Sequence, residues 1–242
     1  MLFACPCVAL TARAQDSVKT RVPTTLDGAI SITTKGISVI PSFTLGKPAG
    51  QLNMTVRHGP WSFEPEFRFG LNAKPWSFLF WGRYQLVRGD RLHIQVGAHP
   101  ALNFRAQGIV LGGVTQSGIV ARRYITAEVS PSYRLTPHVT VGSYYLASRG
   151  LDPGTVRTTN FLTARVTLSS LHLSELYTLS IAPQFFYLKT DAQDGWYVNS
   201  GATLNRRGTP FSVSATANKP LRSTIAGGQT FLWNVSLTYT LR

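Results

Sequence analysis

Along most of this chain apolar and polar residues alternate one by one. From Trp61 to Leu71, for example, Trp61, Phe63, Pro65, Phe67, Phe69 and Leu71 share one parity, and Ser62, Glu64, Glu66, Arg68 and Gly70 share the other. A two-residue period belongs to a β-strand, whose side chains point to opposite faces in turn. Twelve such stretches are predicted, over 37–45, 51–57, 61–71, 76–87, 92–103, 123–134, 138–146, 160–168, 176–188, 196–204, 211–218 and 230–241. The more apolar parity reads Leu92, Ile94, Val96, Ala98, Pro100, Leu102 in the fifth and Phe231, Trp233, Val235, Leu237, Tyr239, Leu241 in the last. Helical spacing is weak throughout, and the chain beyond its first residues has no apolar run of about 18, the length a spanning helix needs. Regular strands at this spacing argue for an all-β sandwich or barrel.

The connections separate the two. Tight links follow the even strands: "RHGP", "RGDR", "LTPH", "SSLHL" and "NRRGTP". Longer ones follow several odd strands: "FRAQGIVLGGVTQSGIVA", "ASRGLDPGTVRTT" and "NKPLRSTIAGGQT". Short turns at one end and longer loops at the other describe a transmembrane β-barrel, and an even strand count returns both termini to the short-turn side. The polar parity agrees. It is dominated by Ser, Thr, Asn and Gly, as at Ser212, Ser214, Thr216, Asn218 and at Asn234, Ser236, Thr238, Thr240. A soluble sheet would carry frequent Lys and Glu on its wet face; a lumen of small polar groups with an oily exterior fits better. Aromatics fall toward strand ends, and Trp61, Trp76, Tyr84, Tyr187, Trp196, Trp233 and Tyr239 are the expected interfacial girdle.

The fold class expected is therefore all-β, a single antiparallel up-and-down transmembrane β-barrel of about twelve strands, with ten the alternative if 51–57 or 211–218 is not a strand. One feature resists. Pro41, Pro65, Pro100, Pro131 and Pro183 lie inside the predicted strands on the outward parity. Proline removes a ladder donor, so these positions should be bulges or lie at the bilayer interface.

The ends read differently from the middle. Residues 1–14, "MLFACPCVALTARA", carry an apolar stretch and a small-x-small motif, Ala12-Arg13-Ala14, as in an export leader. A basic segment before the apolar stretch is lacking, so the leader is expected to begin further upstream. Cys5 and Cys7 leave with it, and the mature chain would then hold neither disulfide nor thiol chemistry. Residues 15–36 are polar and are expected to be a periplasmic lead or a lumen plug, with 37–242 forming the barrel.

In strand number, loop asymmetry and leader the chain resembles outer-membrane β-barrel proteins of Gram-negative bacteria. The stretches "TTKGISVIPSFTLGKPAG", "PQFFYLKTDAQDGWYVNSGATL" and "FLWNVSLTYTL" resemble a poorly characterised group of them. The resemblance implies a place in the outer membrane with both termini in the periplasm. Such barrels usually end on an aromatic residue that the assembly machinery reads; this chain departs from that pattern in ending Tyr239-Thr240-Leu241-Arg242.

Charge adds candidate chemistry. The lumen parity should carry Glu64, Glu66, Arg68, Arg83, Glu128, Arg134 and Arg165, with His93 and His99. Three carboxylates against four guanidiniums can crosslink an interior through bidentate pairs, or form a constriction in which the extra arginine favours anions. Twelve strands lie between barrels of about 8, which side chains fill, and of about 16, which hold a water channel. His93 and His99 stand about 20 Å apart along a strand, too far to share a metal. Glu64 and Glu66, about 7 Å apart, have a spacing that glycosidases use but that strands produce constantly. "TDAQDG" supplies two carboxylates, short of a calcium cage, and no G-x-S-x-G, H-E-x-x-H or phosphate-loop pattern occurs. No cofactor or metal site is expected, and an enzymatic reading lacks a nucleophile.

The net charge is +14. Much of it lies at loops and turns on the predicted outer side, at Lys47, Lys74, Arg105, Arg122, Arg123, Arg149, Arg157, Lys189, Lys219 and Arg222. These suit phosphates of outer-membrane lipid and lipopolysaccharide; they are too dispersed for a nucleic-acid stripe. Two functions remain: a passive narrow channel for small polar or anionic solutes, or a non-conducting barrel that binds envelope proteins through its loops.

Overall fold

The computed structural model describes residues 22–38, 40, 43–111, 114–225 and 230–241. Twelve strands, each antiparallel to the next, close into a barrel. They are β1 (Thr24–Thr33), β2 (Ala49–His58), β3 (Trp61–Gly70), β4 (Pro75–Arg88), β5 (Leu92–Leu111), β6 (Val114–Arg134), β7 (Val139–Gly150), β8 (Thr158–His172), β9 (Tyr177–Thr190), β10 (Gln193–Arg206), β11 (Phe211–Ser223) and β12 (Leu232–Leu241). Each strand pairs with its sequence neighbours, and β1 joins β12 in register from Gly28↔Leu241 to Thr33↔Ser236. Closure leaves no edge, which lets a sheet cross hydrocarbon without orphaned backbone groups.

Eleven strands overlap the predicted stretches; the first does not. The described part of 37–45 forms no strand, and β1 lies instead within the predicted lead. Its outward row is Leu26, Gly28, Ile30 and Ile32, and the glycine interrupts an otherwise readable alternation. It is there for space, because a Cβ on Gly28 would come within 3.1 Å of the Leu241 side chain across the seam. The link 34–48 folds back over the barrel: Gly36 donates to Lys47 O and Leu45 donates to Gly36 O, each at 2.7 Å. The expected loop after the fifth strand is also mostly strand, since β5 and β6 stay paired as far as Leu111↔Val114. Even links remain short. Of the odd ones only those after β1, β7 and β11 are longer than four residues, so the asymmetry is carried by a few loops.

The oily parity faces out. Trp61 is 62% exposed and Leu237 50%, while the inward Phe186 and Leu188 are wholly buried. Outward aromatics form two belts. Trp61 packs on Tyr84 at 4.6 Å and Phe211 on Tyr239 at 5.1 Å near the even links; Trp196 packs on Phe185 and Tyr187 at 5.1 and 4.8 Å near the odd links. Trp76 is the exception to the predicted girdle. The register slips between Arg68 and Phe69 opposite it, and its ring turns inward, 1% exposed, with its indole N–H donating to Phe43 O at 2.7 Å.

The strand prolines have a common solution. Pro65, Pro100, Pro131 and Pro183 each pair in register with one neighbour, opposite Phe80, Ile125, Ile94 and Ser200. On the other side each lies in a two-residue gap in the ladder: Asn53 to Val56 on β2, Leu79 to Gly82 on β4, Val129 to Ser132 against β7, and Arg165 to Leu168 on β8. The missing N–H is thus turned to a place where no bond is made, without an inserted residue. Pro41 lies outside the described residues.

The loop 151–157 is fastened to β6. Asp152 accepts from the Arg123 amide at 2.6 Å and from its guanidinium at 2.6 Å. The Arg123 hydrogen bonds hold the Asp152 carboxyl below the usual carboxylate range. A depressed carboxylate stabilises above its ordinary pKa of about 3.9 and loses that contribution as the pH falls through the lowered value. Proteolytic cutting within 151–157 is therefore expected to stay slow at pH 5–7 and to accelerate only well below pH 4.

Candidate functional site

The interior has two halves. Toward the even links the inward residues are small and polar, with Thr178, Ser180, Thr203, Ser214 and Thr216 half-buried and the Gln184 amide donating to Asn199 at 3.1 Å. Toward the odd links the lumen is packed. Trp81, Leu146, Phe161, Phe186, Leu188 and Tyr197 form one buried cluster, joined by Ile40 and Ile225 from the links above. Rings from four successive strands touch in series: Tyr144 to Phe161 at 5.9 Å, Phe161 to Phe186 at 5.1 Å, Phe186 to Tyr197 at 4.8 Å. The sequence predicts a lumen lined mostly by small polar groups. Sequence reading missed these residues because they occupy only the odd-link end of the polar parity, as Phe186 and Leu188 do beyond Thr178, Ser180 and Gln184 on β9, and the polar remainder of each row sets its overall character.

Between the halves lies the charge cluster. Arg83 on β4 bridges Glu64 on β3 and Glu128 on β6, its Nε donating to Glu128 at 2.6 Å. Tyr144 Oη–H donates to the second Glu128 oxygen at 2.6 Å, and Ser62 donates to Glu64 at 2.7 Å. Arg68 pairs with Glu66 at 2.5 Å. Both guanidiniums lie over indoles, Arg83 at 4.2 Å from the Trp81 ring and Arg68 at 5.4 Å from that of Trp76. The Glu128 side chain is only 2% exposed, so its partners, rather than water, hold its charge.

Gly97 makes the central bridge geometrically feasible. It faces inward on β5, between Arg83 and Glu128 in the register, and a Cβ there would lie 2.9 Å from both the Arg83 Cγ and a Glu128 oxygen. Gly97→Val is expected to destabilise the barrel by about 1–3 kcal/mol, the usual cost of overpacking, read as an earlier urea midpoint in detergent micelles.

Five of the seven expected lumen charges, Glu64, Glu66, Arg68, Arg83 and Glu128, are thus brought together. Arg134 and Arg165 are not: Arg134 ends β6 at the even-link rim, and Arg165 lies in the polar half opposite Gln184. At the cluster carboxylates therefore outnumber guanidiniums, which corrects the expected arginine excess. His99 is buried and its ring lies 3.8 Å from that of Trp81, while His93 is half-exposed near the β4–β5 turn opposite Arg88. Among the described residues no three His, Cys, Asp or Glu side chains gather as a metal site would need.

Above the cluster is a cavity of about 340 Å³. Charged and polar groups (Glu66, Arg68, Arg83, His99) form part of its wall, and Trp81 and Tyr144 are the rings beside them. Ile40 and Phe43 of the β1–β2 link cover it. That link is pinned: Phe43 packs on Tyr124 at 4.8 Å, and Ser38 and Thr44 exchange two hydrogen bonds of 3.1 Å. A Cβ on Gly36 would meet Leu45 and the Trp76 ring at 3.0 Å, so only glycine lets the link lie this close. The Nε–H of Arg68 is buried at the cavity wall with no protein partner.

A closed antiparallel barrel with aromatic belts, an oily exterior and charges inside is the architecture that bacteria place in their outer membrane. The fold is that of outer-membrane β-barrels. A KdgM porin in complex with disordered oligogalacturonate superposes with a TM-score of 0.54 at 10% identity, over 91% of this chain and 100% of that one. LpxR from Salmonella typhimurium gives 0.51 at 13%, over 88% and 99%, and the β domain of the Bordetella autotransporter BrkA gives 0.50 at 10%, over 89% and 97%. At such identities the likeness is one of fold. No protein-family model and no curated protein matches the chain.

Proposed function

We propose that this barrel resides in the outer membrane, termini in the periplasm, and passes small polar solutes through a narrow, partly covered lumen. The observation that carries the reading is the 340 Å³ cavity between the Arg83 bridge and the β1–β2 link, which offers a solute both ion pairs and indole and phenol rings. Its size is at the low end for small-molecule sites, about 300–1,000 Å³, and Glu66, Arg68 and His99 bring polar groups to its wall. The polar half below provides a wet approach. Basic groups at Lys74, Arg122, Arg149, Arg157 and Lys189 ring the odd-link end, where they suit phosphates of lipopolysaccharide.

Reconstitution in planar bilayers tests the reading. Small, discrete conductance steps are expected, with little preference between anions and cations, because the paired charges nearly cancel. Arg68→Gln frees Glu66 at the cavity wall and is expected to shift the reversal potential toward cation preference. Silence of both the wild type and variants with the link removed from the cavity would reject a passage. It would favour the second reading, a non-conducting barrel with envelope partners, for which the fully buried Phe186 and Leu188 speak.

A further inference from the structure

The outer wall carries a second concavity, of about 730 Å³, over β7 to β11. Its floor is made of small outward residues, Ala164, Ser200 and Ala217, and larger ones, Phe185, Val198 and Phe231, stand around it. The register gives it a direction. Ser200 is opposite Ala217, then Val198 opposite Lys219, then Trp196 opposite Arg222. Moving from the small floor toward the odd links, the wall therefore passes an apolar trough, then an outward lysine, then an arginine level with the aromatic belt. Lys219 lines the trough although the other large residues of the outward parity around it, Val141, Val166, Phe185 and Val198, are apolar. An ammonium at the rim of a hydrocarbon-facing trough is costly unless it reaches water or an anion, and Lys219 and Arg222 are both exposed on the outward side.

We propose that this groove binds one phosphate-bearing anionic membrane lipid, an acyl chain lying over Ala217 and Ser200 and the headgroup phosphate pairing with Lys219 and Arg222. The inference rests on the reading that the chain spans a membrane, and it commits to a lipid rather than to a second copy of the barrel because a second oily wall would leave Lys219 without a counter-charge. Apolar fit and charge act at adjacent levels, so they can be removed separately.

The test is native mass spectrometry of the full chain, folded and delipidated in a zwitterionic detergent, with dioleoyl phosphatidylglycerol or dioleoyl phosphatidylcholine added. The wild type is expected to retain phosphatidylglycerol over phosphatidylcholine on the order of tenfold, as two interfacial cations allow. K219Q/R222Q should lose that preference while still holding both lipids weakly. Ala217→Phe, or Ala164→Phe should the first fold poorly, should lose both. Equal retention of the two lipids by the wild type, undiminished retention by the filled variants, or a lipid-free dimer abolished by Ala217→Phe would overturn the proposal. A chain that needs no detergent at all would instead overturn the membrane reading beneath it.

Discussion

Replacing Arg83 with alanine is expected to cost about 3–5 kcal/mol of stability, the range for removing one partner of a buried ion pair. The guanidinium is shared by Glu64 and Glu128 and lies over Trp81. Without it, Glu128 keeps only the Tyr144 hydroxyl as a side-chain donor, in a site almost closed to water. The cost should therefore belong to the stranded carboxylate more than to the lost contact. Glu128→Gln in the Arg83→Ala background should recover a large part of the loss, because an amide is far cheaper to bury than an anion. Urea unfolding in micelles of the single and double variants measures this; equal midpoints for wild type and Arg83→Ala would show that the cluster is solvated.

Ile40→Gly with Phe43→Gly is expected to raise single-channel conductance several-fold. Ile40 packs on the lumen cluster and Phe43 on Tyr124, and together they cover the cavity above Arg83. Both side chains are half-buried, so removing each forfeits about half of the ~1.5–3 kcal/mol that full burial supplies, enough in sum to loosen a link whose other ties are a few hydrogen bonds. The strands do not depend on them, so the barrel should keep its β-sheet circular dichroism. A doubly substituted variant that conducts no better than the wild type would mean that the packed rings of β7 to β10, rather than the link, limit the passage.

The strands were legible wherever one parity was uninterrupted by glycine: Trp233 to Tyr239 and Trp61 to Phe69 stand where alternation puts them. At β1 a space-making Gly28 broke the outward row, and the alternation over 37–45 predicted a strand where the described residues form none. Glu64, Glu66, Arg68, Arg83 and Glu128 could be assigned to the lumen from parity alone. Their assembly could not, because it depends on which strands are neighbours, on the stagger between them and on an empty place at Gly97. Arg134 and Arg165 share that parity but sit at other heights, a coordinate that parity does not carry. Trp76 went the other way through a slip of register, which composition does not record.

Accessibility along β12 tests the central claim most directly. Single cysteines at Trp233, Asn234, Val235, Ser236, Leu237 and Thr238, in a variant lacking Cys5 and Cys7, are labelled with a nitroxide in lipid vesicles, and collision rates are measured with oxygen and with a water-soluble nickel complex. Oxygen, which concentrates in hydrocarbon, should dominate at 233, 235 and 237, and nickel should gain at 234, 236 and 238, with a period of two. Uniform nickel exposure, or the opposite phase with valine and leucine positions shielded from lipid, would contradict the account.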